Sequence, residues 1–199
     1  MTDLSKIPVV ILSGGRGIFI DDSGERKSKG EVQISGSALI THVISMYLKS
    51  GFRRFIISGG YHLDQQRKAL CDFFHLKDLG NEKMMEGSFH GEKIHIQSVD
   101  TGYETSTGER LKKVQKYLEG DKDFALTYSD TLSKLNLQEV YLWHQKSQHM
   151  CTLVSVRLPT RFRILGVRSG ESLVRGFADK AFMPTHLING GFYFFSEKK

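Results

Sequence analysis

Across its first 150 residues the chain alternates short apolar runs with amphipathic segments, and this limits it to very few folds. The run at 7–12 (IPVVIL) is continuous and rich in β-branched residues, the pattern of a strand buried on both faces, and it ends at Ser13-Gly14-Gly15. Leu39, Ile40, Val43, Ile44, Tyr47 and Leu48 then recur at helical spacing within 37–50, with Gly51 placed to stop the helix. A second strand over 54–57 ends at Ser58-Gly59-Gly60, and 63–75 is helical with Leu63, Leu70, Phe73 and Phe74 inward. The same reasoning gives a strand at 93–99, a helix at 108–118 ending near Gly120, a strand at 124–128 and a helix at 136–148. A β-α-β-α-β-α-β-α order with short connections implies an α/β fold: a doubly wound, mostly parallel, Rossmann-like sheet with helices on both faces. Beyond residue 150 the texture changes to four strand-like runs, 151–157, 162–167, 171–177 and 187–195. These are expected as extra C-terminal strands that extend the sheet or form a small antiparallel layer. Residues 76–92 read as a loop or insertion, and 1–199 as a single domain.

Composition narrows the partners. There are 28 Lys and Arg against 22 Asp and Glu, a formal charge of +6, so an anionic partner is expected. Gly is frequent (20) and Pro scarce (3), which fits tight backbone turns. Cys71 and Cys151 have neither disulfide-framework nor metal spacing, and the histidines show no ligand spacing. The start is short and polar with only about six apolar residues after it, unlike a signal peptide, and no run approaches the roughly 18 apolar residues of a membrane span. The expectation is a cytoplasmic protein with reduced cysteines and no membrane partner.

Ligands of open α/β sheets bind beyond the carboxyl ends of the strands. Glycine clusters fall at three strand-like runs: Gly14/Gly15/Gly17, Gly59/Gly60 and Gly190/Gly191. A glycine turn lets backbone N–H groups approach phosphates, and Arg26, Lys27 and Lys29 follow in the long segment 18–36. No Gly-Lys-Ser/Thr follows, so the turn is not a P-loop, and Ile20 stands where the dinucleotide fingerprint needs Gly or Ala.

Five stretches in order carry a more specific signal. Leu12-Ser-Gly-Gly-Arg-Gly17 with Lys27-Ser-Lys29 and Val32-Gln-Ile-Ser-Gly36 resembles the signature of sugar-phosphate nucleotidylyltransferases, most closely the glucose-1-phosphate cytidylyltransferase branch. The segments 56–61 (IISGGY), 99–114 (VDTG, then TGERLKKV), 124–130 (FALTYSD) and 188–192 (INGGF) resemble later motifs of the same family. Together they span nearly the whole chain.

The resemblance implies transfer of a nucleoside monophosphate from a nucleoside triphosphate, CTP favoured, to a sugar 1-phosphate such as glucose 1-phosphate, with release of pyrophosphate. It implies Lys29 as the catalytic cation with Lys27 beside it, and Asp130 as a catalytic, metal-binding carboxylate for Mg²⁺. Leu12, Gly14, Gly15, Arg16, Gly17, Lys29, Thr107, Gly108 and Arg110 are implied nucleotide contacts. Tyr128, Asp179, Lys180, Asn189 and Gly190 are implied substrate contacts. For Arg110 a plainer alternative stands: one basic residue among Lys112, Lys113 and Lys116 on a wet helix face.

The chain departs from the family in three places. Ile18-Phe19 replaces the Thr-Arg that follows the third glycine, and Arg16 and Arg26 are the candidates to substitute for that arginine. Ser28 and Gly30 replace prolines, so the lysine loop is expected to be more mobile. The family's C-terminal segment, with a second metal-binding aspartate, is expected to be absent. Two alternatives therefore stay open: a catalytically impaired relative that binds nucleotide or sugar phosphate without turnover, or transfer to a different phosphorylated acceptor. A nucleic-acid-binding role for the arginines at 157–175 lacks any stacking or helix-turn-helix pattern and is not expected. The base, the acceptor and homo-oligomerisation stay open.

Overall fold

The computed structural model describes residues 3–15, 18–20, 24, 26–80, 83–159, 164–167, 170, 172–178 and 182–197. Its centre is four parallel strands in the order β10 (Asp123–Tyr128), β1 (Pro8–Ser13), β6 (Arg54–Gly59), β9 (Glu92–Asp100). On one side β14 (Phe182–Ser196) and β11 (Cys151–Pro159) add antiparallel; on the other, β8 (Met84–Phe89) and β7 (Lys77–Asp78) do the same. Three short hairpins lie off this sheet: β2 (Ile18–Ile20) with β3 (Arg26–Ser28), β4 (Gln33–Ile34) with β5 (Ser37–Ala38), and β12 (Ile164–Gly166) with β13 (Gly176–Ala178).

The helices follow from their sequences. In α1 (Leu39–Lys49), Ile40, Val43, Ile44, Tyr47 and Leu48 are all buried, each worth about 1.5–3 kcal/mol of burial. Gly51 stops the helix at φ +101°, a conformation that disfavours any side chain. Helix α2 (Leu63–Phe74) and α4 (Leu137–Ser147) cover the same face of the sheet as α1, over Val9, Ile11, Phe55, Ile57 and Phe194. Helix α3 (Thr107–Val114) and the 3-10 turn Gln115–Leu118 cover the opposite face, over Val10, Leu12, Ile56 and Leu126. The alternation of Val9 and Ile11 with Val10 and Leu12 across two covered faces explains the unbroken apolar run.

The chain moves outward from β1 to β6 to β9, then crosses back over the α3 face to β10 on the other side of β1. The sheet therefore changes winding direction between β1 and β10, where Leu12 is in register with Tyr128.

The expected elements of the first 150 residues are present, with two corrections, the first being Phe73, expected inward on α2 but 42% exposed. Segment 76–92 is not a plain loop: β8 pairs with β9 from Met84–Gln97 to Phe89–Glu92. Its apolar signal is thin because only Met85 of the six residues is buried. In the C-terminal part, residues 172–175 carry no regular structure and the short strand there is Gly176–Ala178, whereas the last strand starts earlier than expected, at Phe182.

Candidate active site

A cleft of about 490 Å³ opens at the carboxyl ends of β1 and β10, the winding switch point where open α/β sheets bind ligands. It brings together Leu12, Gly14, Gly15, Lys29, Thr107 and Arg110 with Tyr128 and Asp130.

The glycine turn is shaped by a buried cation. Arg110 is 2% exposed, and its Nη2 donates to the carbonyls of Gly14 and of Tyr103 (2.9 Å). Its Nη1 donates to Gly59 O at 3.0 Å and Thr101 Oγ1 at 2.6 Å. One guanidinium thus ties together the turns after β1, β6 and β9. Burial lowers its pKa, with Asp100 opposing the shift. Space around it is spoken for: a Cβ on Gly14 would fall 2.0 Å from Arg110 Nη1, and one on Gly60 would fall 2.8 Å from Gly102 O. Arg110 therefore sits neither on a wet helix face nor with its terminal nitrogens free. It reaches the cleft through the backbone it holds.

Lys29 and Asp130 meet in the lining of the cleft. Lys29 begins a 3-10 turn, Lys29–Glu31, directly after β3. Asp130 follows β10, where Ser129 N–H donates to Leu12 O at 3.1 Å and continues the strand pairing. Lys29 Nζ lies 3.0 Å from Asp130 Oδ2, with the lysine side chain more than half exposed. The lysine turn is held despite its missing prolines. Ser28 N–H and Oγ donate to Glu31 Oε2 at 2.8 and 2.6 Å, and Gly30 is buried with its would-be Cβ 3.2 Å from Ser129.

Thr107 opens α3, whose first turn is fixed by a capping box. Ser106 N–H donates to Glu109 Oε2 at 2.9 Å, and Glu109 N–H donates back to Ser106 Oγ at 3.4 Å. Thr107, the first residue of this helix, lines the cleft together with 103–106. Lys113 Nζ steadies that wall by donating to Thr101 O at 2.7 Å.

Other expected site residues lie elsewhere. Gly108, Asn189 and Gly190 do not line the cleft. Asn189 donates to the Tyr193 hydroxyl, which lies 3.4 Å from that of Tyr128, so it reaches the cleft wall through two phenols. Burial and Tyr128 together push the Tyr193 pKa up to about 12. Gly190 lets β14 pass β11, because a Cβ there would lie 2.8 Å from Val154 O. Arg16, Gly17, Asp179 and Lys180 fall outside the described residues, as does the side chain of Phe19.

Ser13, Ser28, Tyr103, Glu104 and Ser129 also line the cleft and were not singled out from sequence. Ser13, Ser28 and Ser129 each adjoin a residue that was, whereas Tyr103 and Glu104 fall between the motifs at 99–102 and 107–114. Among the described residues no group of three or more His, Cys, Asp or Glu is placed to hold a metal ion. Among the described lining residues Asp130 and Glu104 carry carboxylates, and Asp130 is the one paired with Lys29. That fits Mg²⁺, which is commonly held by one or two carboxylates together with substrate phosphates and water.

Comparison with known proteins bears on the family and the fold. Residues 8–198 match the family model for nucleotidyl transferases. The chain is 32% identical over 189 residues to glucose-1-phosphate cytidylyltransferase of Salmonella typhimurium, spanning 92% of this chain and 73% of that relative. It is 28% identical over 195 residues to the probable glucose-1-phosphate cytidylyltransferase of Bacillus subtilis, spanning 95% and 74%. Among solved structures, HddC from Yersinia pseudotuberculosis has a TM-score of 0.62 at 21% identity, over 96% of this chain and 76% of that one. UDP-glucose pyrophosphorylase complexed with UDP-glucose has a TM-score of 0.60 at 15% identity with the same coverage. These two establish a shared fold, a mostly parallel central sheet flanked by helices. Among the described residues no helix is long and apolar enough to cross a membrane.

Proposed function

Because this chain belongs to the nucleotidyl transferase family, we propose that it transfers a cytidylyl group from CTP to a sugar 1-phosphate, glucose 1-phosphate first among them, and releases pyrophosphate. The observation that carries this is the Lys29–Asp130 pair, set in a glycine-lined cleft at the switch point of the sheet. The choice of CTP and glucose 1-phosphate rests on the similarity to the Salmonella and Bacillus cytidylyltransferases.

The chemistry asks little of the protein beyond position and charge. A phosphate oxygen of the sugar phosphate attacks the α-phosphorus in line. The new P–O bond forms as the α–β bridging bond breaks, and pyrophosphate departs with the electron pair. No protein nucleophile takes part, and the attacking phosphate is already ionised. Gly14 and Gly15 bring backbone against the nucleotide, and the α3 N-terminus at Thr107 offers N–H groups to an anion or a base edge. Lys29 turns from Asp130 to the phosphates and offsets charge that grows in the transition state. Asp130 would hold Mg²⁺ with help from the substrate phosphates, and the metal would supply further charge neutralisation. Arg110 keeps the three turns in register and acts through them.

A second alternative, binding without turnover, is favoured by Phe19 at the position of the family's arginine. Calorimetric titration with CTP, with and without Mg²⁺, followed by an assay for pyrophosphate, separates the two. Metal-dependent binding with release supports transfer, and binding without release supports the second alternative. No binding of any nucleoside triphosphate contradicts both.

A further inference from the structure

Gln66 has no solvent exposure, yet a carboxamide is kept inside a protein only where partners satisfy it. It lies in α2, outside the cleft. Its Oε1 accepts from Ser13 Oγ at 2.5 Å and its Nε2 donates to Ser28 Oγ at 2.9 Å. Ser13 immediately precedes Gly14, and Ser28 immediately precedes Lys29. One amide therefore bridges the glycine turn and the lysine turn.

The bridge is part of a closed ring. Ser28 donates to Glu31, whose carboxylate lies 3.1 Å from His62 Nδ1. His62 ends the loop before α2, and its carbonyl accepts the Gln66 N–H at 3.2 Å. Gly30 completes the packing, with its would-be Cβ 3.3 Å from Ser13 Oγ.

We propose that Gln66 is a positioning residue for Lys29, fixing the lysine turn against the glycine turn so that the ammonium meets the phosphates at a set place. This rests on the transfer chemistry proposed above and adds to it a side chain that never touches substrate. The ring does here what the absent prolines would do by stiffening the chain.

The test uses Gln66→Leu, Ser28→Ala, Lys29→Ala and the double variant Gln66→Leu/Lys29→Ala. It reads kcat and KM from pyrophosphate release with CTP and glucose 1-phosphate, and hydrogen exchange of the peptide 26–34. Gln66→Leu should lower kcat about 100-fold while moving either KM less than about threefold, since misplacing a catalytic group by an ångström costs that much. Ser28→Ala, which removes the bridge from its other end and leaves α2 intact, should show the same pattern. In the Lys29→Ala background Gln66→Leu should cost nothing more, and exchange at 26–34 should quicken in both single variants while that of α1 is unchanged. A normal kcat in a folded Gln66→Leu or Ser28→Ala protein, an equal loss with and without Lys29, or unchanged exchange at 26–34 overturns the proposal. Wild-type protein that releases no pyrophosphate contradicts the transfer chemistry instead, and the exchange result then decides the positioning claim alone.

Discussion

Lys29 Nζ stands 3.0 Å from Asp130 Oδ2, and the two residues come from different elements, one after β3 and one after β10. An ion pair this exposed adds little to stability, typically about 0–1 kcal/mol. On the proposed transfer, its value lies in keeping a cation and a carboxylate together in the cleft until phosphates arrive. Lys29→Ala should leave the urea midpoint nearly unchanged while lowering kcat about 100- to 1000-fold, the usual cost of losing one group that stabilises transition-state charge. Thermal or chemical unfolding beside steady-state kinetics checks both halves.

Asp130→Asn removes the charge and keeps the shape. Turnover should lose its dependence on added Mg²⁺ and fall to the metal-free level. Titrating Mg²⁺ against the rate of pyrophosphate release measures this, and an unaltered Mg²⁺ response would remove Asp130 from the metal role.

The two glycines of the turn should respond differently to alanine. Gly14→Ala places a methyl against the Arg110 guanidinium and the Gly59 backbone, whereas a Cβ on Gly15 meets nothing within 4 Å. Gly14→Ala should therefore destabilise by about 1–3 kcal/mol, the usual range for overpacking. Gly15→Ala should be close to neutral for folding. Denaturant unfolding of the two variants decides it.

Arg110→Ala removes the guanidinium donor from the carbonyls of Gly14 and Tyr103 and from Thr101 Oγ1, while Gly59 O keeps the Thr101 N–H and hydroxyl. Hydrogen bonds to charged groups are worth about 1.5–3 kcal/mol each, so the loss should exceed about 3 kcal/mol. Arg110→Lys should recover little, because an ammonium cannot span three turns. Equal stability of all three proteins would show that the ties carry no load.

His144 predicts the acid limb of stability. It is buried beneath α4, with Nδ1 2.7 Å from Thr152 Oγ1 and Nε2 2.9 Å from Ser196 Oγ. Burial lowers its pKa below the ordinary 6.5; Asp123 opposes the shift and His149 adds to it. The unfolded chain then binds the proton more readily than the folded one. Stability from this group is complete above pH 6.5 and declines as pH falls from there toward the folded pKa. Melting temperature against pH should show that decline, and His144→Gln should flatten it.

Much of this was legible because one physical rule governs it. Short β-branched runs closing on glycines mark buried parallel strands, and that placed Gly14 and Gly15 at a strand end, while Thr107 and Asp130 came from the family resemblance; all four line one cleft. The rest depended on long-range placement. Gln66 reads as a polar position on an amphipathic helix, and its burial arises only because the start of α2 is wedged between two turns. Arg110 reads as one of several basic residues until three loops converge on it. Segment 84–89 hides its strand because a single residue of it is buried.

The central claim is that this cleft performs nucleotidyl transfer. The most direct measurement is pyrophosphate release with each of the four common nucleoside triphosphates against a panel of sugar 1-phosphates in the presence of Mg²⁺. The account predicts release that needs both substrates and is fastest with CTP and glucose 1-phosphate. Absence of release from every pair would contradict it.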